Sequence, residues 1–193
     1  MVTVAVSGTH LEDQDQYILR TFKEPEGQQQ AFQLLVRTYQ ERIYSIVRKM
    51  VIDHDDADDV VQEVFIKVWR NLHKFQGGSQ LYTWLYRIAT NECLRFLEKK
   101  KKRFFLPIGD ANQELAAKID QSPSLDGDEI QRRLQKALLQ LPDKQRLVFN
   151  LKYFEDLKYE AIAEITGTSV GSLKASYHLA VKKIEALLQL ETI

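Results

Sequence analysis

Between residues 57 and 72 the apolar side chains Ala57, Val60, Val61, Val64, Phe65, Val68, Trp69 and Leu72 fall at i, i+3, i+4, i+7, i+8, i+11, i+12 and i+15. That spacing keeps them on one face of a helix, and a strand, with its period of two, cannot satisfy it. The segment from about Asp55 to Leu72 must therefore be a helix that lays its stripe against other helices. A second stripe, Phe32, Leu35, Val36, Tyr39, Ile43, Ile46, Val47 and Met50, predicts a helix over about 28–50. Gly77-Gly78-Ser79 then breaks the chain. Ser79 suits the N-cap of a third helix reaching about Arg103, whose apolar face is Leu81, Trp84, Leu85, Ile88 and Phe96. A weaker helix over Gln14–Phe22 can join the same core.

Residues 104–128 lose the pattern, and Pro107, Gly109, Pro123 and Gly127 punctuate acidic and small residues there. A linker, extended or partly disordered, is expected. From Glu129 helical periodicity resumes over about 129–141, 143–154, 158–166 and 169–189, with Pro142 suited to a first helical turn. The expected fold is all-α: an N-terminal extension (1–27), a helical domain (28–103), an acidic linker (104–128) and a second helical domain (129–193).

The formal net charge is zero, with 27 basic and 27 acidic residues. Taken alone, that balance argues against a nucleic-acid binder. The distribution is uneven, however. Residues 1–103 carry net +2, 104–129 net −5 and 130–193 net +3, so two mildly basic blocks flank an acidic connector. Cys93 is the one cysteine, and His10, His54, His73 and His178 are scattered without ligand spacing. Neither a signal peptide nor a membrane span is expected, which makes the cytoplasm the default location. No Gly-rich phosphate loop, triad or metal cluster is present, so no catalytic residue, metal or cofactor is expected.

The segment from Tyr159 to His178 reads as a helix-turn-helix. Ala163 lets the second helix cross closely, Gly167 supplies a left-handed turn, and Ile162 with Leu173 fills the seam. Ser169 can cap the second helix, which in such motifs lies in the major groove. Ser172, Lys174, Ser176 and His178 are expected on its outward side, with Lys182 and Lys183 toward phosphates. An ordinary helical hairpin would share the spacing; the polar outer face and basic end favour DNA.

Asp53, Asp55, Asp56, Asp58, Asp59 and Glu63 gather at the start of the 55–72 helix. The helix dipole accounts for part of the cluster. Asp59, Gln62 and Glu63 face away from the apolar stripe and suit a protein-docking surface. The third helix mixes Tyr82, Trp84 and Tyr86 with Arg87, Asn91 and Arg95, then ends in Lys99-Lys100-Lys101-Lys102-Arg103. Aromatics beside cations suit single-stranded DNA, although Trp84 itself reads first as core. Three or four phosphate contacts there would cost roughly a hundredfold in affinity between about 50 and 200 mM salt.

Taken together, these residues resemble the extracytoplasmic-function (ECF) sigma factors of the sigma-70 family. Asp56-Ala-Asp-Asp-Val-Val-Gln-Glu-Val-Phe-Ile-Lys-Val-Trp69 is similar to the family's core-polymerase-binding helix. Thr83-Trp-Leu-Tyr-Arg-Ile-Ala-Thr-Asn91 is similar to its promoter-melting helix. Leu141-Pro142, Arg146, Phe149 and the helix-turn-helix resemble its fourth conserved region. The resemblance spans about 28–103 and 130–188, and three motifs in order are more specific than any one.

The resemblance implies a sigma-2-like bundle and a sigma-4-like domain. It implies that Asp56, Asp59, Gln62 and Glu63 meet the β′ coiled coil of core RNA polymerase, and that the second domain sits on the β flap. The loop Phe75–Leu81, with Ser79, Trp84 and Asn91, would trap a flipped base of the −10 element. Arg87, Arg95, Lys99, Lys100, Lys101, Lys102 and Arg103 would hold its backbone. Ser169, Ser172, Lys174, Ser176, His178, Lys182 and Lys183 would face the −35 duplex, and the acidic linker would thread toward the RNA exit channel. An anti-sigma factor is a typical further partner. The family's arginines at positions 176, 179 and 181 are here Ser176, Leu179 and Val181, which leaves base readout to Ser172, Lys174 and His178.

Affinity borrowed from polymerase explains the neutral charge and predicts weak promoter binding by the isolated protein. The alternatives are a stand-alone helix-turn-helix regulator, which would bind duplex without polymerase, and a helical adaptor with negligible DNA affinity.

Overall fold

The computed structural model describes residues 8–104, 115–119 and 129–190. Its helices are α1 (Gly8–Phe22), α2 (Gln28–Val51), α3 (His54–Asn71), α4 (Leu81–Phe104), a single turn α5 (115–119), α6 (Glu129–Leu139), α7 (Asp143–Tyr153), α8 (Tyr159–Thr166) and α9 (Val170–Leu190). Short 3-10 turns at Pro25–Gly27 and Leu72–Lys74 close α1 and α3. Among the described residues there is no strand, and the all-α expectation holds.

The stripes pack as their periodicity requires. Leu35, Tyr39, Ile43, Ile46 and Val47 of α2 are buried against Ala57, Val60, Val64 and Val68 of α3 and Leu85, Ala89 and Cys93 of α4. Each leucine, isoleucine or valine among them contributes about 1.5–3 kcal/mol on burial. Trp69 departs from the expected stripe. It lies 40% exposed at the edge, with its ring edge-on to Phe22 and Phe32. Helix α1 runs longer than its weak pattern suggested and is tied to α2 by Tyr39, whose hydroxyl donates to Asp15 Oδ1 at 2.7 Å.

Three local expectations are corrected. Helix α4 begins at Leu81, and the Gln80 carbonyl accepts the Trp84 N–H at 3.2 Å; Ser79 therefore lies one residue before the cap position. Pro142 is the N-cap of α7 rather than part of its first turn. Most of the expected linker lies outside the described residues, but 115–119 inside it is helical. Ile119 there is buried with Ile52 and Leu139, and Lys118 pairs with Asp53 at 2.5 Å.

The two halves of the chain share a core. Leu147, Val148 and Leu151 of α7, Ile162 and Ile165 of α8, and Leu173 of α9 belong to the same buried cluster as α2, α3 and α4. A smaller cluster of Ala137, Leu138, Leu141, Phe149, Ala180 and Ile184 ties α6, α7 and α9 together. Helix α4 packs along α8 and touches α7, so the helix-turn-helix is seated on the face of the first domain.

Candidate nucleic-acid interface

Asp53 caps α3 by accepting the Asp56 N–H at 3.0 Å. Of the four residues expected to dock a protein, Asp56 is paired with Lys100 of α4 at 2.5 Å. Asp59, Gln62 and Glu63 are exposed. They form one wall of a groove of about 490 Å³ whose other wall is Glu92, Arg95, Phe96 and Lys99. An acidic face of α3 thus stands beside a basic face of α4. Between them Glu92 is buried, pairs with Lys67 of α3 and accepts from Arg95 Nη2 at 2.7 Å.

The cationic residues of α4 do not form one uninterrupted patch. Lys101 pairs with Asp143 at 2.6 Å and Lys102 with Glu98 at 2.7 Å, while the side chain of Arg103 lies outside the described residues. Asn91 and Lys99 are exposed. Arg87 extends from α4 onto the helix-turn-helix, donating to the Glu164 carbonyl through Nε at 3.0 Å and Nη2 at 2.6 Å. That carbonyl belongs to the last turn of α8, where unpaired acceptors favour a cation.

Phe75 packs on Trp84 with ring centroids 5.5 Å apart, and both rings are half-buried. Below this loop is a hollow of about 370 Å³ lined by Leu19, Phe22, Lys23, Gln28, Leu72, His73, Phe75, Gln76 and Gly77. Gly77 turns the loop at φ +74°. Neither Ser79 nor Asn91 lines this hollow; α1, which the sequence reading left out of the site, does.

The helix-turn-helix has the expected local chemistry. Gly167 ends α8 with φ +67°, and Ile162 and Leu173 are buried in the seam. Ser169 Oγ accepts the Ser172 N–H at 3.3 Å, capping α9. Ser172, Lys174, His178, Lys182 and Lys183 are exposed, whereas Ser176 is half-buried at the flank of the seam, a correction to its outward placement. The Lys174 ammonium sits 5.7 Å over the Tyr159 ring, and Lys183 donates to the Gln140 carbonyl at 2.7 Å.

Glu155 and Asn150, at the seam between the two halves, carried no sequence signal. Glu155 accepts from Lys49 Nζ at 3.2 Å and from the Tyr86 hydroxyl at 2.9 Å. Asn150, wholly buried, donates to the Lys49 carbonyl at 3.4 Å and has an unpartnered Oδ1; Arg146, also buried, has an unpartnered Nε. Burial lowers the Arg146 guanidinium, and burial pushes the Cys93 thiol up to about 12. Among the described residues no three His, Cys, Asp or Glu side chains gather to hold a metal, and no helix is long and apolar enough to cross a membrane.

The family model for Sigma-70 region 2 matches residues 35–103, and that for Sigma-70, region 4 matches 131–184. RNA polymerase sigma-H factor of Pseudomonas aeruginosa is 35% identical over 188 residues, covering 92% of this chain and 95% of that protein. ECF RNA polymerase sigma factor SigW of Bacillus subtilis is 34% identical over 160 residues, covering 79% and 86%. Among solved structures, CnrH in complex with the cytosolic domain of CnrY aligns with a TM-score of 0.66 at 25% identity, covering 92% of this chain and 99% of that one. The sigma factor RpoE in complex with the anti-sigma factor NepR from Bartonella quintana aligns at 0.65 and 24%, covering 82% and 96%. The region boundaries bracket the acidic α3, the basic α4 and the helix-turn-helix, and the chain belongs to the ECF sigma factors of the sigma-70 family, which are transcription initiation factors.

Proposed function

We propose that this chain binds core RNA polymerase through α3 and carries it to promoters, holding melted −10 DNA with α4 and reading −35 duplex with α9. The observation that carries the reading is the pairing of surfaces along α3 and α4. Asp59 and Glu63 are exposed and make no ion pair among the described residues, although Lys99 and Arg95 stand across the groove. Carboxylates left in water beside cations are ready for an external basic partner, here the β′ coiled coil. Across the groove Arg95 is held by Glu92, and Lys99 remains for phosphate. No residue is assigned a chemical reaction, and the place of action on this reading is the cytoplasm.

The domain boundaries follow from the same reading. The sigma-2-like unit takes residues 28–103, with α1 as an added layer, and the sigma-4-like unit takes 129–193. The −35 and −10 elements are about 25 base pairs apart, roughly 85 Å of duplex at 3.4 Å per step. A helix-turn-helix resting on α4 cannot span that distance, so we propose that the two units part when polymerase is bound. With Arg87 held by Glu164, the free protein is a poor promoter binder. An anti-sigma factor is a further proposed partner; the structure of CnrH, at 25% identity, is of a complex with the cytosolic domain of CnrY.

Reconstitution with core polymerase tests the reading. Specific initiation should require this chain, and Asp59→Ala/Glu63→Ala should abolish it by blocking assembly. Transcripts persisting in that double variant would remove the docking assignment. Unchanged open-complex formation in Asn91→Ala would remove the flipped-base role. Nanomolar sequence-specific binding by the isolated chain would favour the stand-alone regulator instead.

A further inference from the structure

The core face of α9 is defined by Leu173, Ala180 and Ile184, all buried. Half a turn away, Gly171, Ala175, His178, Leu179 and Lys182 are exposed. Leu179 is 55% exposed. A single surface leucine needs no explanation. Its register does, because Leu179 continues the line of Ser172 and Ala175 along the two turns that enter the groove in a helix-turn-helix.

That line offers a base pair an unusual set of contacts. Guanine is read in the major groove by bidentate Arg or Lys, and adenine by Asn or Gln. None of these lies on the line of Ser172, Ala175 and Leu179. Lys174, next to Ala175 in the chain, sits over the Tyr159 ring to one side. Gly171 and Ala175 have little or no side chain to hold the helix away from the groove floor, which brings Leu179 close to base edges. The apolar group that a major groove presents is the C5 methyl of thymine.

We infer that Leu179, supported by Ala175, is a specificity-determining residue that selects thymine in the −35 element through its C5 methyl. The inference rests on the reading of α9 as the −35 helix. Lys182, exposed on the same face, meets phosphate and sets the depth of insertion without choosing the base.

The test uses holoenzyme assembled from this chain and core polymerase. Promoters are first selected from a duplex library randomised across the −35 and −10 regions, and the enriched −35 thymines are then replaced singly by deoxyuridine, which removes only the methyl. One such thymine should lose about fourfold in affinity, the worth of burying one methyl group. In Leu179→Ala the same replacement should change affinity by less than about 1.5-fold, because the methyl has lost its partner. Leu179→Arg should shift the selected base at that position toward guanine. If no thymine is enriched, or if deoxyuridine binds equally in the natural chain, the inference is overturned while α9 remains the −35 helix. If the library yields specific initiation with no −35 preference at all, the −35 reading itself fails, and this inference with it.

Discussion

At φ +67° Gly167 places the seam of the helix-turn-helix in a backbone region that costs other L-residues about 1–2 kcal/mol. A Cβ added there would meet nothing within 4 Å, so the cost of replacement is conformational and not steric. Gly167→Ala should therefore destabilise the protein by about 1–2 kcal/mol, and Gly167→Asn by less, since asparagine tolerates this region. Denaturant midpoints at constant slope would measure both. Asp53 is a second residue whose local chemistry sets stability. The Lys118 ammonium and the Asp56 N–H hold its carboxyl below the usual carboxylate range. A depressed native value means that the ionised carboxylate stabilises the fold above the unfolded value of about 4. The contribution disappears as pH falls through the lower native value. Asp53→Ala should cost about 1 kcal/mol at neutral pH, with the gap from the natural chain closing at acid pH. A gap that persisted unchanged at pH 2 would show that the cap does not act through its charge.

Elements differ in how far they could be read from residues alone. Helices α2 and α3 were legible because eight apolar positions each repeat at helical spacing, and burial of Leu35, Tyr39, Val60 and Val64 follows that repeat. The helix-turn-helix was legible because Gly167 and Leu173 each have one local job. Helix α5 was not, since five residues are too few to show a period, and what holds it is distant: Ile119 on Ile52 and Leu139. The outward face of α9 was only half legible. Polar residues drew attention to Ser172 and Lys174, while Leu179 stood out only as the place of an absent family arginine, because an exposed leucine carries no polar signal. The α5 turn gives a prediction at this scale. Ile119→Asp would bury a charge without a partner and should release the turn while leaving the helical domains folded. Limited proteolysis should then cleave between 105 and 128 several times faster, with helicity by circular dichroism nearly unchanged. Equal cleavage rates would mean that Ile119 does not anchor the connector.

For the whole molecule, the closed seating of the helix-turn-helix on α4 is held by a polar clasp over a shared apolar core. Asn150 and Glu155 belong to no apolar stripe or motif in the sequence, which is why the seam was not legible; only the fold brings them to Lys49, Met50 and Tyr86. The clasp is incompletely satisfied, because Arg146 Nε and Asn150 Oδ1 are buried without partners. A polar atom so placed gains partners when the seam opens, which sets opening against closure. Cys93 reports on that balance. It is wholly buried near Arg146, and its raised thiol pKa leaves little thiolate at pH 8. Alkylation should therefore proceed through molecules in which the seam has opened. Removing Glu155, which binds both Lys49 and Tyr86, should cost about 1.5–3 kcal/mol of closure. Since about 1.4 kcal/mol is tenfold in population, Glu155→Ala should raise the Cys93 alkylation rate by about tenfold or more. Glu98→Ala, which breaks only an exposed pair within α4, should leave the rate unchanged. The same Glu155→Ala chain should bind core polymerase more tightly, because the apparent affinity of a partner that needs the open form rises with the open fraction. Faster alkylation without tighter polymerase binding would mean that the seam opens but does not limit assembly; unchanged alkylation would mean that Glu155 is not what keeps it shut.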